Sequence, residues 1–181
     1  MVQRAHAASE TAFEAVVAKH HAEIHRYLCR MVTRVAEAED LSQETFLRAY
    51  RAWSGLPCDT NLRSWLYTVA TNVYRNHVRS EKRRRAAHTT VRVTRRTVDV
   101  DDPEAETLAA EVRALAETAI RCLPVKQRIA FTLRKLHELD YETIGQSLDC
   151  SPESARAHVF QALRKIRTTL NGHVPVTRSR R

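Results

Sequence analysis

The sequence predicts an all-α protein of two small helical domains joined by a flexible linker, and three observations predict it. Only three glycines and five prolines occur in 181 residues, so long stretches lack the residues that end helices. Apolar side chains return at three- and four-residue steps in one segment after another, the period of a helix that buries one face. Between Ala86 and Asp102 that period stops and few large apolar side chains remain. The charge also changes sign: eight basic residues and one acid from Arg79 to Arg96 give way to Asp99, Asp101, Asp102, Glu104 and Glu106. Such a segment has no core to join and reads as a tether. The expected organisation is a first domain over 9–86, a linker over 87–103, a second domain over 104–172 and a disordered basic tail over 173–181.

Thirty Lys and Arg against twenty-one Asp and Glu give a net charge of +9. A charge of that sign suits a polyanion, nucleic acid before anionic membrane. No apolar run approaches the ~20 residues of a membrane span, and the first ten residues lack a secretory apolar core. A cytoplasmic protein is therefore expected. Cys29, Cys58, Cys122 and Cys150 are widely spaced, with no C-x-x-C pair. Free thiols are the default for that pattern in a reducing compartment, and none sits in a setting that obviously stabilises a thiolate. No Ser/His/Asp order and no phosphate-cradling Gly loop occurs, so no enzyme activity and no cofactor is expected.

The first predicted helix is capped by Ser9 or Thr11 and carries Phe13, Val16, Val17, Ile24, Tyr27, Leu28, Met31 and Val32 as its apolar stripe. His21, His25 and Cys29 stand at i, i+4 and i+8 on it, a row whose imidazole and thiolate groups suit zinc. The plainer reading is three unrelated side chains on an amphipathic helix, because nothing selects a fourth ligand. No metal site is assigned, and metal analysis of chelator-treated protein should find no tight zinc.

The second helix has Phe46, Ala49, Tyr50 and Trp53 as its inward face, with Asp40, Gln43, Glu44 and Leu47 sharing another. Glu37 and Glu39 suit the positive end of its dipole. Gly55 to Asn61 carries Gly, Pro, Asp and Asn and reads as a loop. The third helix, from Leu62, buries Leu62, Trp65, Leu66, Val69, Ala70 and Val73. Thr68, Asn72, Arg75 and Arg79 form a polar stripe on its other side, running into Lys82 to Arg85. Amide and guanidinium groups reach base edges and phosphates, and Tyr67, Tyr74 and His77 are candidates to stack on unpaired bases.

The motif W-L-Y-x-V-A-x-N-x-x-x-N-x-x-R, Trp65 to Arg79, resembles the promoter-reading helix of the extracytoplasmic-function sigma factors, small bacterial proteins that direct RNA polymerase to a promoter. The family usually has Asp where this chain has Asn76. The string A-E-D-L-S-Q-E-T-F-L-R-A-Y, Ala38 to Tyr50, is similar to the family segment that docks on the polymerase clamp helices. By position, the resemblance implies docking contacts at Glu39, Asp40, Gln43, Glu44 and Leu47, with Phe46 inward. It implies −10 contacts at Asn61, Arg63, Trp65, Thr68, Asn72, Arg75, Asn76 and Arg79. The family's loop beside this helix helps hold a flipped base, which fits Gly55–Asn61 in position.

Asp102 then Pro103 supplies a cap and first turn for a new helix, with Leu108, Val112, Leu115, Ala119 and Ile120 as its stripe. L-P-x-x-Q-R, Leu123 to Arg128, resembles the opening of the family's second promoter-reading domain, where Pro124 starts a helix carrying Ile129, Leu133 and Leu136. Tyr141, Ile144 and Leu148, a turn at Asp149-Cys150, a Ser151 cap and Pro152 give a helix-turn-helix. Its second helix buries Ala155, Val159, Ala162, Leu163 and Ile166. Ser151, Glu153, Ser154, Arg156, Ala157, His158, Gln161 and Arg164 are the candidate −35 contacts, with Arg156 and His158 as direct readers and Arg164, Lys165 and Arg167 on phosphates.

The function expected is that of an alternative sigma factor whose partners are core RNA polymerase (clamp helices and flap), promoter DNA and, in many family members, an anti-sigma protein. Two rivals are a stand-alone helix-turn-helix regulator, which would bind duplex DNA tightly without polymerase, and a metal-dependent protein built on the His21 row.

Overall fold

A computed structural model describes residues 2–87 and 108–171, with side chains over 11–86 and 114–171. The expected linker, the helix start at Asp102-Pro103 and the basic tail therefore lie outside the described residues, apart from residue 87 in α3. All regular structure among the described residues is helical: α1 Val2–Met31, α2 Val35–Trp53, α3 Leu62–Ala87, α4 Leu108–Arg121, α5 Val125–Lys135, α6 Tyr141–Leu148 and α7 Pro152–Asn171. They belong to two compact units, one built on α1–α3 and the other on α4, α5, α7 and the first part of α6.

In the first unit the three helices pack pairwise. Ile24, Tyr27 and Leu28 of α1, Ala38 and Ala49 of α2 and Leu66, Tyr67 and Ala70 of α3 are all fully buried. Alanines on α2 let the backbones approach while the larger residues of α1 and α3 fill the gap. Helix α1 begins at Val2, so positions 9 and 11 lie inside it rather than at its start. Arg34 enters α2 in an extended conformation without a side-chain cap; the first turn closes through the Ala38 N–H to the Arg34 carbonyl at 3.2 Å. Helix α3 is capped in the usual way: Asn61 Oδ1 accepts the Ser64 N–H at 3.1 Å, three residues on.

In the second unit Ala119, Leu123, Phe131, Ala162 and Ile166 form one buried cluster that joins α4 and α5 to α7. Asp140 caps α6, with Oδ1 accepting the Thr143 N–H at 2.7 Å and Oδ2 the Thr143 hydroxyl at 3.1 Å. The backbone bond to Thr143 comes first among the causes holding the Asp140 carboxyl below its ordinary value. The turn to α7 is a Schellman closure: the Cys150 N–H reaches the Gly145 carbonyl at 3.0 Å and the Asp149 N–H the Gln146 carbonyl at 3.4 Å. Asp149 takes the left-handed position with φ 57°, a place more often held by glycine. Ser151 then caps α7, its Oγ accepting the Ser154 N–H at 3.3 Å.

This tight closure leaves no room at Gly145. A Cβ there would stand 2.7 Å from the Cys150 carbonyl oxygen and 3.3 Å from the Pro152 nitrogen, both backbone atoms that cannot swing aside. Gly145→Ala is expected to destabilise the α4–α7 unit by roughly 1–3 kcal/mol, measured as a lowered urea midpoint. A variant that unfolds with the parent would show that the turn can open.

Candidate functional site

Helix α2 buries Ala38, Leu41, Ser42, Thr45, Phe46 and Ala49 and turns Glu39, Asp40, Gln43 and Leu47 to solvent. Leu47 is 52% exposed, an apolar side chain ringed by polar ones. Glu44 is half-buried and accepts from Arg48 Nε at 2.6 Å, so this acid is partly neutralised by its own helix while Asp40 is left open. Phe46 points inward as expected. Tyr50 does not: it is 44% exposed, and it and Trp53 lie edge-on to Phe13 at 5.2 and 5.4 Å. Leu41 and Thr45 take the core positions instead, because the stripe facing α1 and α3 lies one step toward the start of the helix.

Helix α3 divides cleanly into two faces. Leu66, Tyr67, Ala70, Thr71, Val73 and Tyr74 are buried. Asn72, Asn76, Arg79 and Arg83 are exposed at i, i+4, i+7 and i+11, one continuous outer stripe, with Trp65, Thr68 and Arg75 half-buried along its edges. Tyr67 and Tyr74 are therefore core residues and offer no stacking surface. His77 is not a free stacking group either: its Nε2 lies 2.7 Å from Glu37 Oε1 on α2, which gives Glu37 a partner beyond the helix dipole. Leu62, Trp65 and Val69 are half-buried, so the core face is turned from the predicted one toward the tyrosines. Farther along, Glu81 holds Arg84 at 3.1 Å and Arg85 at 3.9 Å. Among the described residues no carboxylate pairs with Arg79, Lys82 or Arg83.

The start of α3 is fixed to α1 by Glu23. Its carboxylate accepts from His20 Nδ1 at 2.5 Å, Arg63 Nε at 3.0 Å and the Tyr67 hydroxyl at 3.2 Å. Burial alone would raise the Glu23 carboxyl, but the hydrogen bonds from His20 and Arg63 and the guanidinium charge outweigh it and hold it below its ordinary value. Burial, with Glu23 alongside, pushes the Tyr67 phenol well above its usual range. Arg63 also lies 5.2 Å over the Tyr67 ring, and the Tyr27 and Thr71 hydroxyls meet at 2.8 Å. Two of the expected −10 contacts thus have local structural roles: Arg63 belongs to this network and Asn61 caps the helix.

On α7, Ala155, Val159, Ala162 and Ile166 are buried, whereas Leu163 is 37% exposed and falls outside the predicted core side. Leu136, placed in a stripe by its spacing, is 43% exposed at the end of α5. Glu153, Ser154, Arg156, Ala157 and Arg164 face solvent, and so does Ser151 at the cap. His158 is half-buried with its Nδ1 enclosed and unpartnered by the described residues. Burial, then the Lys126 charge, holds its imidazole below the ordinary value. Gln161 is exposed, but its Oε1 accepts from Gln127 Nε2 at 2.8 Å. Arg156 lies 5.0 Å over the Tyr141 ring. Phe160 was not among the predicted contacts; at 67% exposed it stands between Arg156 and Arg164 at four-residue steps. Its position outside the Ala155–Val159–Ala162 stripe was the signal available in the sequence.

The His21 row does not converge. His21 stacks on His25 at 6.0 Å and on Phe46 at 5.6 Å, and Cys29 Sγ lies 3.7 Å from His25 Nδ1. Among the described residues no group of three or more His, Cys, Asp or Glu side chains is arranged to hold a metal. All four cysteines are free, and burial pushes the Cys29 thiol up. No described helix is long and apolar enough to cross a membrane.

One unit carries a helix with an acidic outer edge and a long polar-striped helix, the other a helix-turn-helix, an arrangement that fits the sigma class of transcription proteins. Residues 16–84 match the family model for Sigma-70 region 2 and residues 113–166 that for Sigma-70, region 4. The RNA polymerase sigma-H factor of Pseudomonas aeruginosa is 30% identical over 169 residues, 90% of this chain and 88% of that protein. The ECF RNA polymerase sigma-E factor of Haemophilus influenzae is 30% identical over 90% of this chain and 89% of its own. Among solved structures, the sigma factor RpoE in complex with the anti-sigma factor NepR from Bartonella quintana gives a TM-score of 0.75 at 18% identity, covering 90% of this chain and 99% of that one. CnrH in complex with the cytosolic domain of CnrY gives 0.66 at 19% identity, covering 91% of each chain. The chain belongs to the extracytoplasmic-function sigma factors, non-catalytic regulators of transcription initiation.

The Glu23 network carries a pH signature. Its folded carboxyl lies below the ordinary 4.5, so the stabilisation it contributes is complete above that value and is lost as pH falls through the lower folded one. Glu23→Gln is expected to flatten the fall in stability below about pH 4.5, measured as urea midpoints from neutral pH downward. Parent and variant curves that stay parallel would contradict the assignment.

Proposed function

We propose that the chain binds bacterial core RNA polymerase in the cytoplasm and directs it to a promoter whose −10 and −35 elements its two units read. The observation that carries the reading is the division of α2. Phe46 packs inward while Asp40, Gln43, Glu44 and Leu47, which correspond to the family's clamp-docking segment, lie on the outer side. An exposed leucine inside a polar rim has the composition of a protein contact.

In this reading the outer stripe of α3, from Trp65 through Thr68, Asn72, Arg75 and Asn76 to Arg79, faces the −10 element. Lys82 and Arg83 attract phosphates, and the loop before Asn61 takes a base turned out of the stack. Helix α7 enters the major groove with Arg156, Ala157 and Phe160 toward base edges, and Arg164, Lys165 and Arg167 on the backbone. Asn76, neutral where the family usually carries Asp, leaves this part of the stripe without a negative charge against DNA. The polymerase performs the chemistry, with the flap as a second contact for the α4–α7 unit. An anti-sigma protein is proposed as a competitor for these surfaces, because RpoE of Bartonella quintana is solved with NepR. A stand-alone regulator would account for α6 and α7 but not for the match of α1–α3 to region 2.

Asp40→Lys is expected to weaken binding to core polymerase at least ~10-fold, since a charge pair at a protein interface contributes about 1.5 kcal/mol or more. Leu47→Ala should also weaken it, whereas the exposed Glu14→Lys should not. Co-elution of each full-length variant with core polymerase measures this, and equal binding by Asp40→Lys would remove the assignment.

A further inference from the structure

Arg134 on α5 and Arg156 on α7 share one ring. Their guanidinium carbons lie 4.8 and 5.0 Å from the centroid of Tyr141, the first residue of α6. Arg134 is fixed there, because its Nη1 donates to the Leu139 carbonyl at 3.0 Å. Tyr141 opens α6 beside Asp140, whose carboxylate caps that first turn. Arg156 makes no ion pair or hydrogen bond from its side chain among the described residues; the Glu153 charge lies one turn back, and the ring is the contact that orients the guanidinium. A cation–π contact holds a guanidinium by its flat face and engages none of its N–H groups. The donor fork of Arg156 thus stays whole while its side chain loses freedom before any DNA arrives.

We propose that Tyr141 is a positioning residue for base recognition: it holds the Arg156 guanidinium in the orientation in which α7 presents it, and so confers a guanine preference on one base pair of the upstream promoter element. Guanine follows from the fork, since N7 and O6 on its major-groove edge are the acceptor pair that a guanidinium meets bidentately. An arginine without the ring would bind phosphate and base edges alike, and affinity would then carry little sequence information. The inference rests on the promoter-reading role proposed for α7.

The test is run-off transcription by core polymerase with the full chain on templates carrying each base at every upstream position. For the parent, one position should favour guanine by roughly ten-fold or more, and Arg156→Ala should bring that position toward parity. Tyr141→Leu, which removes the ring but keeps apolar bulk, should flatten the same position and leave the others as they were. Tyr141→Phe, which keeps the ring, should retain the preference; thermal melting of both variants checks that they fold. A folded Tyr141→Leu that lowers transcription evenly while the guanine preference persists overturns the proposal, and so does loss of the preference in a folded Tyr141→Phe. If Arg156→Ala changes no position, the inference fails while the sigma reading stands. If the parent directs no promoter-specific transcript, both fail.

Discussion

Glu23 accepts hydrogen bonds from His20 on its own helix and from Arg63 and Tyr67 on α3, and the orientation of the first unit follows from that junction. Helix α3 must bury one face against α1 and α2 and offer the opposite face outward. Apolar spacing alone leaves the rotation loosely set, because tyrosines, threonines and half-buried aromatics line both edges. The carboxylate narrows the choice: with Arg63 and Tyr67 drawn toward Glu23, Leu66, Ala70 and Val73 turn in and Asn72, Asn76 and Arg79 turn out. Hydrogen bonds to a charged group contribute roughly 1.5–3 kcal/mol each, with Arg63 at the low end because its side chain is 40% exposed.

The second unit solves an equivalent problem with its backbone. The helix-turn-helix needs α7 to leave α6 abruptly. The closure over Gly145, the left-handed Asp149 and the Ser151 cap supply that turn within a few residues. A side chain at Gly145 would meet the turn's own backbone. The result presents the start of α7 outward, where Arg156 and Ala157 are exposed and Arg156 rests on Tyr141.

Much of this was legible in the sequence because it is local. Helix periodicity, the Ser151 cap and the Phe46-inward, Leu47-outward alternation each depend on residues within a turn or two of one another. What escaped was long-range or dual in character. The partners of Glu23 on α3 lie 40 and 44 residues away, and nothing in their spacing announces the contact. Tyrosine reads equally as core or as a stacking surface, so composition makes Tyr67 and Tyr74 candidates for stacking while packing buries them. Tyr50, Leu136 and Leu163 erred the other way, since the apolar stripe of each helix is wider than the surface its neighbours cover. Among the candidate contacts, Glu39, Asp40, Gln43 and Leu47 of α2 are exposed, and so are Asn72, Asn76 and Arg79 of α3. Arg63, Asn61, Thr68, Arg75 and Gln161 have intramolecular partners, and His158 is partly enclosed.

The most direct measurement is permanganate reactivity of thymines on promoter DNA incubated with core polymerase and the purified chain. A sigma factor predicts reactive, unpaired thymines confined to the −10 region, together with a transcript of defined start, only when chain and core are both present. Tight binding of the chain alone to duplex DNA, with no opening and no defined transcript when core is added, would contradict the account.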